Sequence, residues 1–357
     1  MARKTGFLVL GLILTLAAQA LAAAGTREVR DTSGRPVTIP QEVTRVAPIN
    51  PAFAQVAEML TLGGGKIVAY PRMGVSDFFK KVFPDIVRSN PNNYDSGAVE
   101  DLIASGAQVV YGPVMRFSEA QQEQLRQAGL AVVPVDVNDR SGRASIEQMG
   151  LAFQVIGEIL GPEELARARE FVKYYQGNAA EAARRTANLA DQDRPRLLQL
   201  STSGGAFTSF NRNSICHQYL TTAGGLNVAA DYLVDSGQAL TLDPESVVQW
   251  DPQYILADSP AAQAEILNNP ALGTVDAVKN GRVAVCPYGI FPWKNYSAEG
   301  AMLPLWFGTI LHPDLFADID MKTVVRDFFK NYYHYQISAE EIDQVLGGPT
   351  QYRPLPE

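Results

Sequence analysis

The side chains best equipped for binding chemistry stand in loops that follow β-rich runs. Tyr70, Arg72, Tyr111 and Arg116 lie in the first half of the chain, and Phe207, Asn211, Arg212, Tyr288, Phe291 and Trp293 in the second. Aromatic faces stack on flat groups and guanidinium forks grip carboxylates in pairs, so the mixture suits a flat or chelated anionic ligand. Each residue also has a plainer reading. Tyr70 and Tyr111 can end strands inside a core, Arg116 can be solvated, and Trp293 can pack its own lobe. Tyr94, in Asn92-Asn93-Tyr94-Asp95, is a further candidate.

Direct capture of bare zinc or manganese needs several convergent His and carboxylate ligands, which His217, His312 and His334 do not supply. No metal bound directly by protein is therefore expected. His217, just after Cys216 at the start of a helix, is the one histidine suited to a ligand-facing position; for a haem ligand, it or a Tyr phenolate would be axial. No Ser-His-Asp or Cys-His set is visible, and no His/Glu pair of the kind a tetrapyrrole metal chelatase needs, so the reading is not an enzyme. Cys216 and Cys286 are the only cysteines. A disulfide between them, two free thiols and a soft thiolate metal site all fit the sequence. Ser203-Gly204-Gly205 lacks the Lys-Ser/Thr ending of a phosphate loop. Gly63-Gly64-Gly65 ends a helix, which is the reverse order.

The elements that position these loops read as two similar halves around a long helix. Glu28–Asp31 and Val37–Ile39 flank a turn at Ser33-Gly34, a hairpin signature. Strands are expected over Val43–Ile49, Lys66–Tyr70, Gln108–Tyr111 and Ala131–Val135, with helices near Ala52–Leu62, Gly97–Ala104 and Ser118–Gln127. Beyond the middle, Arg196–Leu200, Tyr254–Ala257 and Arg282–Val285 read as strands between helices. Such alternation argues a parallel sheet covered on both faces. Between the halves, Ser145-Ile-Glu-Gln148 opens a helix with a capping-box spacing, and Gly161-Pro162 interrupts it. Leu165, Ala168, Val172, Tyr175, Ala179, Ala182, Thr186 and Leu189 then form one narrow seam, roughly 40 Å long at the helical rise. The expectation is α/β: two doubly wound lobes joined by a single backbone helix, with a ligand cleft between them. The divisions are a signal peptide over 1–24, an N-terminal lobe over 25–144, a connecting region over 145–190 with its backbone helix at 162–190, and a C-terminal lobe over 191–357.

Arg3 and Lys4 precede the apolar run Phe7–Leu16 and the small-residue pattern Ala20-Leu21-Ala22. That is a cleavable secretory signal, since a spanning helix needs about 20 apolar residues. With no lipoprotein cysteine at the cleavage site, a free periplasmic protein is expected. The net charge is −8, and −10 once Arg3 and Lys4 are removed, which disfavours nucleic acid as a partner.

The order of motifs resembles one family, the periplasmic substrate-binding proteins of ABC importers for iron–siderophore, haem and cobalamin-type ligands, the class with a helical backbone. The resemblance rests on Val29–Pro40, Val99-Glu100-Asp101-Leu102, Ala223–Ala229, Pro244-Glu245-Ser246-Val247-Val248, Ala277–Val283 and Leu305–Pro313. It implies a monomer that captures a metal chelate, an iron–siderophore foremost, and delivers it to a permease dimer in the inner membrane. Haem, corrinoid and nickel or cobalt chelates are the alternatives, and a ligand sensor would share the fold. The chelate is cargo and no cofactor is implied. The resemblance also implies docking on the permease through one acidic residue per lobe, Glu100 and Glu245, each at a helix start where a carboxylate is favoured.

Overall fold

The computed structural model describes residues 25–71, 76–86, 92–94, 98–114, 117–139, 141–203, 206–236 and 239–347. The signal-peptide reading, Arg72 and Arg116 lie outside them. The chain divides into two compact units, residues 1–137 with 150–172, and residues 138–149 with 173–357.

The first unit opens with the antiparallel hairpin β1 (Thr26–Arg30) and β2 (Pro36–Pro40). Its turn is shaped by Asp31, whose carboxylate accepts the amides of Ser33 at 2.8 Å and Arg35 at 2.9 Å, while Gly34 takes φ +80°. The parallel order β3 (Val46–Pro48), β6 (Val109–Gly112), β7 (Ala131–Pro134) follows, with β4 (Ala69–Pro71) pairing β5 (Asn92–Tyr94) beside it. The strands are apolar on both faces, as a helix-covered parallel sheet requires. Helix Pro51–Thr61 starts on Asn50, whose side chain accepts the Ala52 amide at 2.9 Å, and Pro51 sits where the absent N–H costs nothing.

The second unit centres on β8 (Arg196–Ser203). Its first half pairs in parallel with β10 (Leu226–Asn227) and β12 (Tyr254–Ala257), and β12 in turn with β13 (Val283–Val285). Its second half bends into an antiparallel ladder with β9 (Ala206–Phe210), which pairs β11 (Ala239–Leu242). The sequence suggests only a loop there. Strand β9 alternates exposed Ala206, buried Phe207, half-buried Thr208 and buried Ser209, a pattern too short to separate from loop chemistry without its partners.

Helix Ile146–Leu160 begins on Ser145, whose hydroxyl accepts the Gln148 amide at 3.0 Å, and ends at Gly161, φ +146°. Two cations close its carboxyl end: Arg27 donates to the Ile159 carbonyl at 2.9 Å, and Lys66 to the Leu160 carbonyl at 2.8 Å. Helix Pro162–Thr186 then contributes residues through Val172 to the first unit and from Lys173 to the second. Gly157 admits it: a Cβ there would stand 2.7 Å from the Cβ of Ala168. The helix stops at Thr186, short of Leu189, and a 3-10 turn follows at Asp191–Asp193. Among the described residues no helix is long and apolar enough to cross a membrane.

Candidate functional site

In open α/β sheets the carboxyl ends of parallel strands are where ligand chemistry collects. In the second unit these ends hold a polar network. The backbone of β8 places Gln199 and Ser201, β12 delivers Asp258 one residue past its end, and the loop after β13 brings Lys294. The Lys294 ammonium lies 2.8 Å from Asp258 Oδ1 with only 7% of its side chain exposed, and 4.6 Å from the centre of the Phe210 ring. Gln199 donates to the same Oδ1 at 2.7 Å and to the Ser201 hydroxyl at 2.8 Å, and Ser201 donates to Asp258 Oδ2. A buried cation is thus matched by one carboxylate that is itself fixed by two neutral donors. Beside it a pocket of about 340 Å³ is lined by Asp258, Ser259, Val285, Cys286, Tyr288 and Gln344, among others.

The loop carrying Lys294 is tied down from below by Glu299, which is wholly buried. It accepts the Ile290 amide at 2.9 Å, the Trp293 indole N–H at 2.8 Å and the Tyr333 hydroxyl at 3.1 Å. Trp293 is therefore a fully buried anchor of the loop. Phe291 is half-buried on the same loop, and Tyr288 is 45% exposed.

The other sequence candidates fall as follows. Tyr70 and Tyr111 end β4 and β6 but turn inward: Tyr70 donates to Glu58 at 3.3 Å and Tyr111 to the Phe53 carbonyl at 3.3 Å, and neither is exposed. Phe207 is in the core cluster of the second unit. Asn211 is fully buried; it accepts the Asn213 amide at 3.0 Å and donates to the Leu233 carbonyl at 3.4 Å, so it shapes its turn. Arg212 is 40% exposed and paired with Asp231 at 2.7 Å. Tyr94 ends β5. His217 is half-buried, its Nδ1 3.4 Å from the Asn227 amide nitrogen, and burial lowers its pKa. His312 contacts the Gly224 carbonyl at 3.3 Å. Glu100 and Glu245 are exposed in the first turns of helices Val99–Ala104 and Pro244–Trp250. Among the described residues, no three His, Cys, Asp or Glu side chains form a metal-ligand group.

Of the three arrangements open to the two cysteines, the structure has the free thiols. Cys216 and Cys286 are both free and buried. Cys216 sits in the first turn of helix Ile215–Thr222, held by Ser214, while the Cys286 sulfur lies 3.6 Å from the Pro287 carbonyl. Burial pushes the Cys286 thiol up to about 12 and the Cys216 thiol higher still. Thiol titration is expected to find none reactive in the native protein and two after denaturation without reductant. None after denaturation would restore the bridge.

Residue type alone does not mark Lys294, Asp258, Gln199 or Ser201. The signal for Asp258 and Ser201 was position at a strand end; Lys294, between Trp293 and Asn295, carries none.

Two buried carboxyls weaken the fold as pH rises, while His217 and His312, whose pKa values burial lowers, act in the opposite direction. Burial raises Glu58 to about 7, partly offset by Tyr70, and raises Glu299 to about 7 against its donors. A carboxyl with a raised folded-state pKa binds more protons folded than unfolded. Its contribution is complete below the ordinary value of 4.5 and is lost as pH rises through about 7, roughly 3 kcal/mol per group. Between pH 5 and 8 the thermal midpoint of Glu58→Gln is expected to change with pH along a more positive slope than that of the wild type, because the substitution removes one of the groups whose contribution is lost as pH rises. An unchanged slope would show that Glu58 keeps an ordinary pKa.

Comparison with known proteins accords with this architecture. The family model described as periplasmic binding protein matches residues 92–288, more than half of the chain. The molybdate-binding protein MolA of Haemophilus influenzae is 22% identical over 341 residues, covering 89% of this chain and 94% of MolA. The solved MolA structure with molybdate has a TM-score of 0.75 at 20% identity, covering 87% of this chain and 99% of that one. A periplasmic solute binding protein from Veillonella parvula gives 0.76 at 21% identity, with 90% and 97% covered. Helicobacter pylori CeuE with Ni(II) bound gives 0.69 at 17% identity, with 90% and 99% covered. At these identities the structures establish a shared fold of two sheet-containing α/β lobes. The chain belongs to the periplasmic binding protein family.

Proposed function

We propose that this protein is the solute-binding component of an ABC importer and that it captures a small metal chelate, an iron–siderophore foremost, for delivery to a permease dimer in the inner membrane. The observation that carries this reading is the open pocket at the strand ends of the second unit, where exposed Tyr288 stands beside a pre-formed polar network on a loop locked by Glu299. A rigid aromatic-and-polar wall fits a ligand recognised by its organic surface rather than by protein–metal bonds. Candidate contacts are Tyr288, Phe291 and Arg212, with Arg72 and Arg116 retained from the sequence; Tyr70, Tyr111, Phe207, Asn211 and Trp293 act as supports. Glu100 and Glu245 are the proposed docking points. A second reading, capture of an inorganic oxyanion, follows from the match to MolA along most of its length. Haem and corrinoid chelates stay within the first.

Thermal shift against ferric trihydroxamate, ferric catecholate, haemin, cobalamin and molybdate separates the two. A ligand at 100 times its Kd stabilises by about 2.7 kcal/mol, a shift of several degrees. At least one chelate is expected to produce it. A shift with molybdate alone would replace the chelate reading by the oxyanion one. Combined Glu100→Ala and Glu245→Ala is expected to keep that shift and abolish uptake by the reconstituted importer; undiminished uptake would remove the docking assignment.

A further inference from the structure

We infer that the pocket of the second unit is a subsite for a secondary amide: an apolar body that presents one N–H to Asp258 and one carbonyl to Tyr288. The inference deepens the reading of the chain as a solute-binding protein and rests on it. The pocket holds about 340 Å³, at the small end of the range for small-molecule sites. Val285, Pro260 and the Cys286 thiol give it apolar walls.

Its polar groups are few and incompletely used. A carboxylate offers about four acceptor directions. Asp258 spends three, on Lys294 and Gln199 at Oδ1 and on Ser201 at Oδ2, which leaves one on Oδ2. About a third of its side chain is exposed. Because Lys294 already balances its charge, a neutral N–H donor satisfies what remains, and a second cation would be in excess. Tyr288 supplies the complement. Tyr288 is 45% exposed and lines the pocket, and a phenol carries its proton at neutral pH, so the hydroxyl can donate. With Ser259 and the exposed Gln344 also on the lining, donors and acceptors stand together beside apolar walls, as an amide requires. A fully ionised oxyanion offers acceptors alone and would meet the Asp258 carboxylate, so the pocket discriminates against it.

The test uses the full chain and a metal-free probe, N-butylacetamide, followed by ligand-observed NMR. Binding is expected at millimolar concentration. Gln344→Trp, which fills the pocket from an exposed helix position, is expected to weaken it at least tenfold. Tyr288→Phe removes only the donor and is expected to weaken it several-fold. Absence of binding to the wild type, or equal binding by both variants, would overturn the subsite. Gly347 borders the pocket, so a chain ending there is a further arm. Binding that appears only after removal of residues 348–357 would make that segment the occupant and overturn the subsite as well. The probe carries no metal, so a failure of the chelate panel and a failure here are separate results.

Discussion

Glu299→Ala is expected to cost roughly 3–6 kcal/mol, seen as a fall in the urea midpoint for the second unit. The carboxylate accepts the Ile290 amide and the Trp293 indole of the loop and the Tyr333 hydroxyl of a distant segment, with the Gly289 amide also bonded to it. All are buried, and each orphaned donor costs about 1–3 kcal/mol because water does not reach it. The sum is not additive, since the freed loop would relax and let some donors find partners. Glu299→Gln keeps one oxygen but turns an NH₂ toward a donor, so an intermediate loss of about 1–2 kcal/mol is expected. The same substitutions should lower ligand affinity more than they lower stability of the rest of the chain, because the loop they release carries Tyr288, Phe291 and Lys294. An alanine variant within about 1 kcal/mol of the wild type would show that the loop is held by something other than Glu299.

Asp258→Ala is expected to cost about 3 kcal/mol, because it leaves the Lys294 ammonium buried without its counter-charge. Phe210 still offers its ring face at 4.6 Å, but a cation–π contact returns only about 1–2 kcal/mol. Lys294→Met is the gentler change. It leaves Asp258 partly solvated and still bonded to Gln199 and Ser201, while the Met stem occupies the space of the Lys stem. The double variant should therefore be more stable than Asp258→Ala alone. That sign is the diagnostic feature of a buried pair whose worth lies in mutual compensation. If the two single losses simply added, Lys294 and Asp258 would be acting independently.

Where the candidate site was legible, strand ends carried the signal. Asp258 and Ser201 stand directly after the β-rich runs Tyr254–Ala257 and Arg196–Leu200, and position alone distinguishes them. Tyr70 and Tyr111 occupy equivalent positions, yet their phenols turn inward to Glu58 and the Phe53 carbonyl. Residue type at a strand end does not say which face of the last residue is covered. That depends on the helix packed there, and Pro51–Thr61 covers this one. Trp293 shows the same limit: its ring can stack on a ligand or be captured by a carboxylate six residues on, and only the folded loop chooses.

By itself the sequence determined the class of architecture. Alternating short apolar runs and amphipathic stretches specify helix-covered parallel sheets, and Gly161-Pro162 specifies a helix break, because both are properties of a few adjacent residues. The hairpin turn at Asp31–Arg35 is equally local. The tertiary structure decided what depends on residues far apart in the chain: that β8 bends into an antiparallel ladder with β9, that Cys216 and Cys286 remain separate thiols, and that Lys294, Gln199 and Ser201 converge on Asp258. Such pairings come from how strands and loops stack to bury apolar area while giving enclosed charges such as Lys294 a partner. No window along the sequence contains that information.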